Sequence, residues 1–178
     1  PWNFPHQINL AKIGPALAAG NTLVLKPAPD TPWAAAVLGE LVAEHTDFPP
    51  GVLNIVTSSD HAVGAVLSQD PRVDMVSFTG STNTGRAVMT DAAVTIKKVF
   101  LELGGKSAFV VLDDADLAGA CSMAAFTVAM HAGQGCAITT RLVVPRAKYD
   151  EAVEAAAATL GGIKPGDPNS KRTVCGPV

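Results

Sequence analysis

The chain has 178 residues, 48% of them hydrophobic and 16% charged, with a formal net charge of −3. That composition is globular, long enough for a sizeable core, and excludes a disordered chain. The slight acidity and the few aromatics, two Trp, one Tyr and six Phe, exclude a basic nucleic-acid platform or an anionic-membrane partner.

In chain order, Pro1-Trp2-Asn3-Phe4-Pro5 is rigid and amphipathic. Its one amide side chain, Asn3, either donates to an oxyanion or belongs to a turn capping the next helix. A helix is predicted over His6–Ala19, with Ile8, Ala11, Lys12, Pro15 and Ala18 marking its turns and Gly14-Pro15 kinking it. Gly20-Asn21 ends it, and Thr22–Lys26 reads as a fully buried strand. Lys26 would then stand at a carboxyl edge, holding ribose hydroxyls or a phosphate, or else snorkelling out to solvent.

The stiff loop Pro27–Pro32 leads into a helix over 32–46, with Asp30 or Thr31 as cap and Pro32 in the first turn. A strand at Leu53–Thr57, a short helix near 60–68 and a strand at Val73–Thr79 follow. Gly80-Ser81-Thr82-Asn83-Thr84-Gly85 then opens a helix to about Ala92. Free amides and a hydroxyl at such a point suit a phosphate, but an ordinary helix cap explains them equally. It is neither a GxGxxG fingerprint nor a P-loop, because Arg86-Ala87 follow Gly85.

Lys97–Leu103 is predicted as a strand that Glu102 interrupts with a charge. A carboxylate in a buried strand needs a partner or a task, and a raised pKa would suit a general base. After Gly104-Gly105 come a strand at Ser107–Leu112 and a helix from Asp114 or Asp116 to His131, with Leu117, Cys121, Ala124, Ala125 and Val128 as its apolar stripe. A strand at Ile138–Val144, a helix at Tyr149–Leu160 and a loop to Val178 complete the chain.

Repeated strand–helix–strand units imply an α/β fold: a parallel sheet with helices on both faces, Rossmann-like, followed by the start of a second α/β domain. The double glycine sets the expected boundary, with domains at 1–103 and 104–178. The chain starts at Pro1 without Met and closes on no element after Cys175, so a fragment of a longer protein is expected.

Three cysteines make no disulfide framework, and no Cys or His spacing suits a metal. Cys121 sits on the helix stripe and reads as core; Cys175 has no supporting motif. Cys136 is either a buried structural thiol, as most free cysteines are, or a ligand-facing one. It follows Gly133-Gln134-Gly135, too glycine-rich for a well-packed core and open to close approach of a ligand. A thiol there can attack a carbonyl carbon, and the Glu102 carboxylate can activate the water that releases the product.

Taken together, Pro1–Pro5, Leu25-Lys26-Pro27-Ala28, Phe78–Thr82, Leu101–Lys106 and Gly133–Cys136 resemble the aldehyde dehydrogenase superfamily in order and spacing. The resemblance implies a cytoplasmic, homo-oligomeric, NAD- or NADP-dependent enzyme that oxidises an aldehyde to a carboxylic acid. In it Cys136 is the nucleophile, and Asn3 with the Cys136 backbone N–H holds the thiohemiacetal oxyanion. Hydride transfer leaves a thioester, and Glu102 activates the water that hydrolyses it. Cofactor contacts are implied for Trp2, Lys26, Ala28, Pro29, Gly64, Thr79, Gly80, Ser81, Gly85 and Leu103.

Many NAD-dependent relatives carry Glu three residues after the lysine. Pro29 stands there in this chain, with Asp30 next, so NADP is expected to be tolerated. The family's later Glu-x-Phe-Gly-Pro segment does not occur in these residues. The alternatives are a CoA-acylating semialdehyde dehydrogenase, which Glu102 argues against, and, for the isolated chain, an inactive nucleotide-binding module.

Overall fold

The computed structural model describes residues 1–177; Val178, the end of the expected closing loop, lies outside the described residues. Two compact units are present, Pro1–Leu103 and the chain from Gly104 onward.

The first unit alternates α1 (Pro5–Ala18), β1 (Leu23–Leu25), α2 (Trp33–His45), β2 (Leu53–Ile55), α3 (Ala62–Gln69), β3 (Met75–Gly80), α4 (Thr82–Ala93) and β4 (Lys98–Leu103). Parallel pairing needs a crossover, which the helices between successive strands supply, and β1 pairs with β2, and β3 with β4, in that sense. The α/β class read from the sequence is what the chain adopts. Among the described residues the strands form two-stranded parallel sheets rather than one continuous sheet.

Helix α1 takes Pro5 in its first turn, where the missing amide costs nothing, and runs on through Pro15 as one helix. Ile13 of α1, Leu25 of β1 and Ala35 of α2 form a buried core, with Leu17, Leu23, Leu38, Leu53 and Ile55 packed on it. Strand β1 departs from the fully buried reading. Leu23 and Leu25 face that core, while the pleat turns Val24 to the other side, where it is 43% exposed.

The cap expected from Asp30 or Thr31 is absent: Pro32 holds the N-cap of α2 with no side-chain bond, and its carbonyl receives the amides of Ala35 and Ala36. A proline adjoining the first turn leaves fewer amides in need of a cap.

In the second unit β5 (Ala108–Val110) pairs in parallel with β6 (Arg141–Val143), and α5 (Leu117–Ala129) packs against α6 (Tyr149–Gly162). Asp116 caps α5 by accepting from the Gly119 amide at 3.2 Å. Leu117, Cys121, Ala124 and Ala125 are buried along α5, the stripe that helical spacing predicts. Val111, Leu117, Cys121 and Ala152 make the core, which Phe109 and Leu142 extend. The strand expected from Ile138 begins only at Arg141. Its partner β5 offers just three residues to pair, so positions 136–140 remain turn and coil.

Candidate functional site

Strands β1 and β2 end side by side, and the loops after them bound one cavity of about 350 Å³. Pro27, Ala28, Pro29 and Pro32 line it from the loop after β1, and Thr57, Ser58 and Ser59 from the loop after β2. Carboxyl ends of parallel strands are where α/β proteins take ligands. Lys26 opens the first loop, and its Nζ donates to the Pro27 carbonyl at 3.0 Å.

On α3, a Cβ at Gly64 would sit 3.5 Å from Lys26 Cε, so the lysine stem lies along this helix. The residues present fit an adenosine nucleotide: proline faces suit a flat base, and hydroxyls with an ammonium suit ribose or phosphate.

The turn after β3 carries Thr79, Gly80 and Ser81. A Cβ on Gly80 would lie 2.5 Å from the Phe78 ring, so glycine there is demanded by its own neighbour. Ser81 is the N-cap of α4: its Oγ accepts from the Thr84 amide at 3.2 Å and lies 2.9 Å from Thr84 Oγ1. The capping reading of Ser81 is thus satisfied, and its exposed hydroxyl stays at the helix mouth.

Strand β4 corrects the reading of Glu102 as a buried charge. The strand alternates, with Val99, Leu101 and Leu103 half-buried and Phe100 and Glu102 exposed on the opposite face. Leu101 and Leu103 turn toward α4, where a Cβ at Gly85 would meet Leu103 Cδ2 at 2.9 Å. Glu102 is in register with Thr79, and Phe100 with Ser77, so these four residues share one sheet face.

That face also receives Lys12, a residue the sequence reading used only to mark a helix turn. Its Nζ donates to Ser77 Oγ at 2.8 Å. Burial pushes the Lys12 ammonium below the usual lysine range, and the charge of Glu102 pulls it partly back. A lysine among the helix-spaced apolar positions Ile8, Ala11 and Pro15 was the signal available for it. Trp2 is 50% exposed and Asn3 half-buried ahead of α1.

In the second unit α5 gives way to a tight turn, Met130–Gly133, in which His131, Ala132 and Gly133 all have positive φ. Two of these are not glycine, so the turn is strained. Gln134 and Gly135 follow, and Cys136 is an exposed turn residue. Gly135 owes its identity to its own chain, because a Cβ there would fall 2.8 Å from Ile138 Cγ2.

Cys175 is half-buried and donates to the Gly176 carbonyl at 3.5 Å. Cys121 lies at 0% exposure, where burial, and secondarily the charge of Glu151, pushes its thiol up. Asn3 and Glu102 belong to the first unit and Cys136 to the second. Among the described residues no cluster of His, Cys, Asp and Glu is placed to hold a metal, and no helix is long and apolar enough to cross a membrane.

Comparison with known proteins agrees with the motif order. The model of the aldehyde dehydrogenase family matches residues 1–178. The chain is 46% identical over its full length to 3-succinoylsemialdehyde-pyridine dehydrogenase of a Pseudomonas species and covers 37% of that protein. It is also 46% identical, with the same coverage, to the NADP(+) succinate-semialdehyde dehydrogenase GabD of Escherichia coli. Among solved structures, a mutant of aldehyde dehydrogenase C from Pseudomonas syringae, complexed with NAD+ and octanal, matches with a TM-score of 0.95 at 42% identity. That match covers all of this chain and 36% of the other. The chain thus spans little more than a third of the length of these relatives.

Proposed function

The chain belongs to the aldehyde dehydrogenase family, and from that membership we propose that the protein carrying it oxidises an aldehyde to a carboxylic acid with NAD or NADP. The first unit, 1–103, is read as part of the cofactor-binding domain, and 104–178 as the start of the domain that bears the nucleophile. One observation carries the reading: five chemistry-bearing segments occur in family order, and the last of them ends on an exposed cysteine in a turn.

In this proposal the Cys136 thiolate attacks the aldehyde carbon, forming a C–S bond and a thiohemiacetal oxyanion. The Asn3 amide and the Cys136 backbone N–H donate to that oxyanion. NAD or NADP, when bound, supplies the hydride acceptor. A thioester is then left on Cys136, and Glu102 removes a proton from the water that attacks it. The exposure of Glu102 supports this role, since a base for water must be reachable by water.

Lys26, Ala28, Pro29 and Gly64 are assigned to the adenosine end of the cofactor, and Thr79, Gly80, Ser81 and Gly85 to its phosphates. Trp2 is assigned to the channel wall, and Leu103, whose side chain packs toward Gly85 of α4, is assigned to it through its backbone. A homo-oligomer in the cytoplasm, where a free nucleophilic thiol stays reduced, goes with the proposal. The relatives' names range from semialdehydes to the octanal of a solved complex, and the proposed substrate is an aldehyde, with no narrower class assigned.

The test is oxidation of a panel of aldehydes, semialdehydes among them, by the full-length protein, read as reduced cofactor absorbance, beside its Cys136→Ala variant. Cys136→Ala is expected to lose roughly 10³-fold or more in kcat while still binding cofactor. Near-normal oxidation by that variant would remove Cys136 from its role.

A further inference from the structure

The turn that leads from α5 to the proposed nucleophile holds a conformation its own residues disfavour. His131 and Ala132 both have a φ of 53°, and Gly133 follows at 73°. Glycine takes the left-handed region freely, and histidine is among the side chains found there more often than most. Ala132 has a Cβ and no polar group to compensate for it. The turn is nonetheless closed, with the Gln134 amide donating to the His131 carbonyl at 3.1 Å and Ala132 half-buried. Such a conformation persists only where its surroundings over-determine it, and such residues cluster at reactive sites.

Cys136 comes just after that closing amide, in a turn, and regular structure resumes only at Arg141, whose amide donates to the Ser107 carbonyl at 3.2 Å. Neither a helix nor a strand therefore sets the direction of the thiol. An alanine at positive φ has one narrow well, whereas a glycine has broad ones on both sides of zero. We infer that Ala132 is a positioning residue, whose left-handed backbone restricts the turn after α5 to one conformer and so aims the Cys136 thiol at the aldehyde carbon. This inference rests on the nucleophile role proposed above.

The test is made on the full-length protein with Ala132→Gly, Ala132→Asn and Cys136→Ala. Glycine relieves the strain and widens the well, so Ala132→Gly is expected to keep or raise the melting temperature. Its kcat is expected to fall about tenfold or more, since a misplacement of about 1 Å near the chemistry costs about 10²-fold. Alkylation of Cys136 by iodoacetamide, which asks only for an exposed thiolate, is expected to change less than about twofold. Ala132→Asn, whose short amide side chain accepts positive φ, is expected to stay within about threefold of the unaltered kcat. Three results would overturn the positioning role and leave Cys136 its own: a smaller loss of kcat in Ala132→Gly, a loss that comes with a lowered melting temperature or slowed alkylation, or an Ala132→Asn variant as impaired as the glycine one. Aldehyde oxidation retained by Cys136→Ala would remove the nucleophile reading, and this inference with it.

Discussion

The same substitution, glycine to alanine, is expected to have opposite effects in α3 and α4. At Gly64 the new methyl lands 3.5 Å from Lys26 Cε, an ordinary contact with a flexible stem. Only the helix-propensity gain then remains, about 0.5–1 kcal/mol. At Gly85 the methyl lands 2.9 and 3.1 Å from the two Cδ atoms of Leu103 and 3.6 Å from Leu101 Cδ1. Either α4 lifts off β4 or Leu103 leaves its rotamer, an overpacking cost of about 1–3 kcal/mol that outweighs the same gain. The net loss is about 1 kcal/mol, so the two variants should differ by about 2 kcal/mol.

Urea midpoints of the 178-residue chain measure the difference, and amide exchange along α3 and α4 locates it. Loss of stability at Gly64→Ala, or a gain at Gly85→Ala, would refute the packing argument. In the full-length protein a stabilised Gly64→Ala variant that binds ADP-ribose more weakly would assign Gly64 to the cofactor, since stability and binding would then move in opposite directions.

Three further outcomes are expected. Lys12 is held below its usual range, so the unfolded chain binds more protons than the folded one between the two pKa values. Stability should therefore rise as pH climbs from the folded value toward the ordinary lysine pKa of about 10.4, and a Lys12→Met variant should show a flatter profile in urea melts over that range. Brief alkylation followed by peptide mass mapping should modify Cys136 first and Cys175 more slowly, and should spare the buried Cys121; early loss of Cys121 would contradict the α5–α6 core. Turnover by the full-length protein should proceed without CoA and gain less than about twofold from adding it, because Glu102 is assigned to activate water; an absolute CoA requirement would select the acylating alternative.

How far the sequence could be read depended on the range of each interaction. The α5 stripe of Leu117, Cys121, Ala124 and Ala125 was legible because helical period alone puts those positions on one face. Glu102 was misjudged because Val99-Phe100-Leu101 looks like a continuous apolar run. The alternation becomes visible only once α4 is known to cover one face of β4. Strand β6 came out short because pairing depends on a partner, and β5 provides few positions.

At Gly135 the structure adds a constraint that the sequence does not show, since a Cβ there would fall 2.8 Å from Ile138 Cγ2. The place of Lys12 among helix-spaced apolar positions marks it as unusual, but its partner does not show, since the bond to Ser77 spans 65 positions and no local pattern encodes it. The candidate residues themselves were found by type and order, which the sequence shows directly.

The central claim is that Cys136 holds the acyl group and Glu102 activates the water that releases it. The most direct measurement is intact-protein and peptide mass analysis of the full-length Glu102→Gln variant, quenched after mixing with aldehyde and oxidised cofactor. The account expects one equivalent of reduced cofactor in a burst and a matching acyl mass on the Cys136 peptide, cleared far more slowly than in the unaltered protein. An unmodified Cys136 peptide alongside normal steady-state turnover would contradict it.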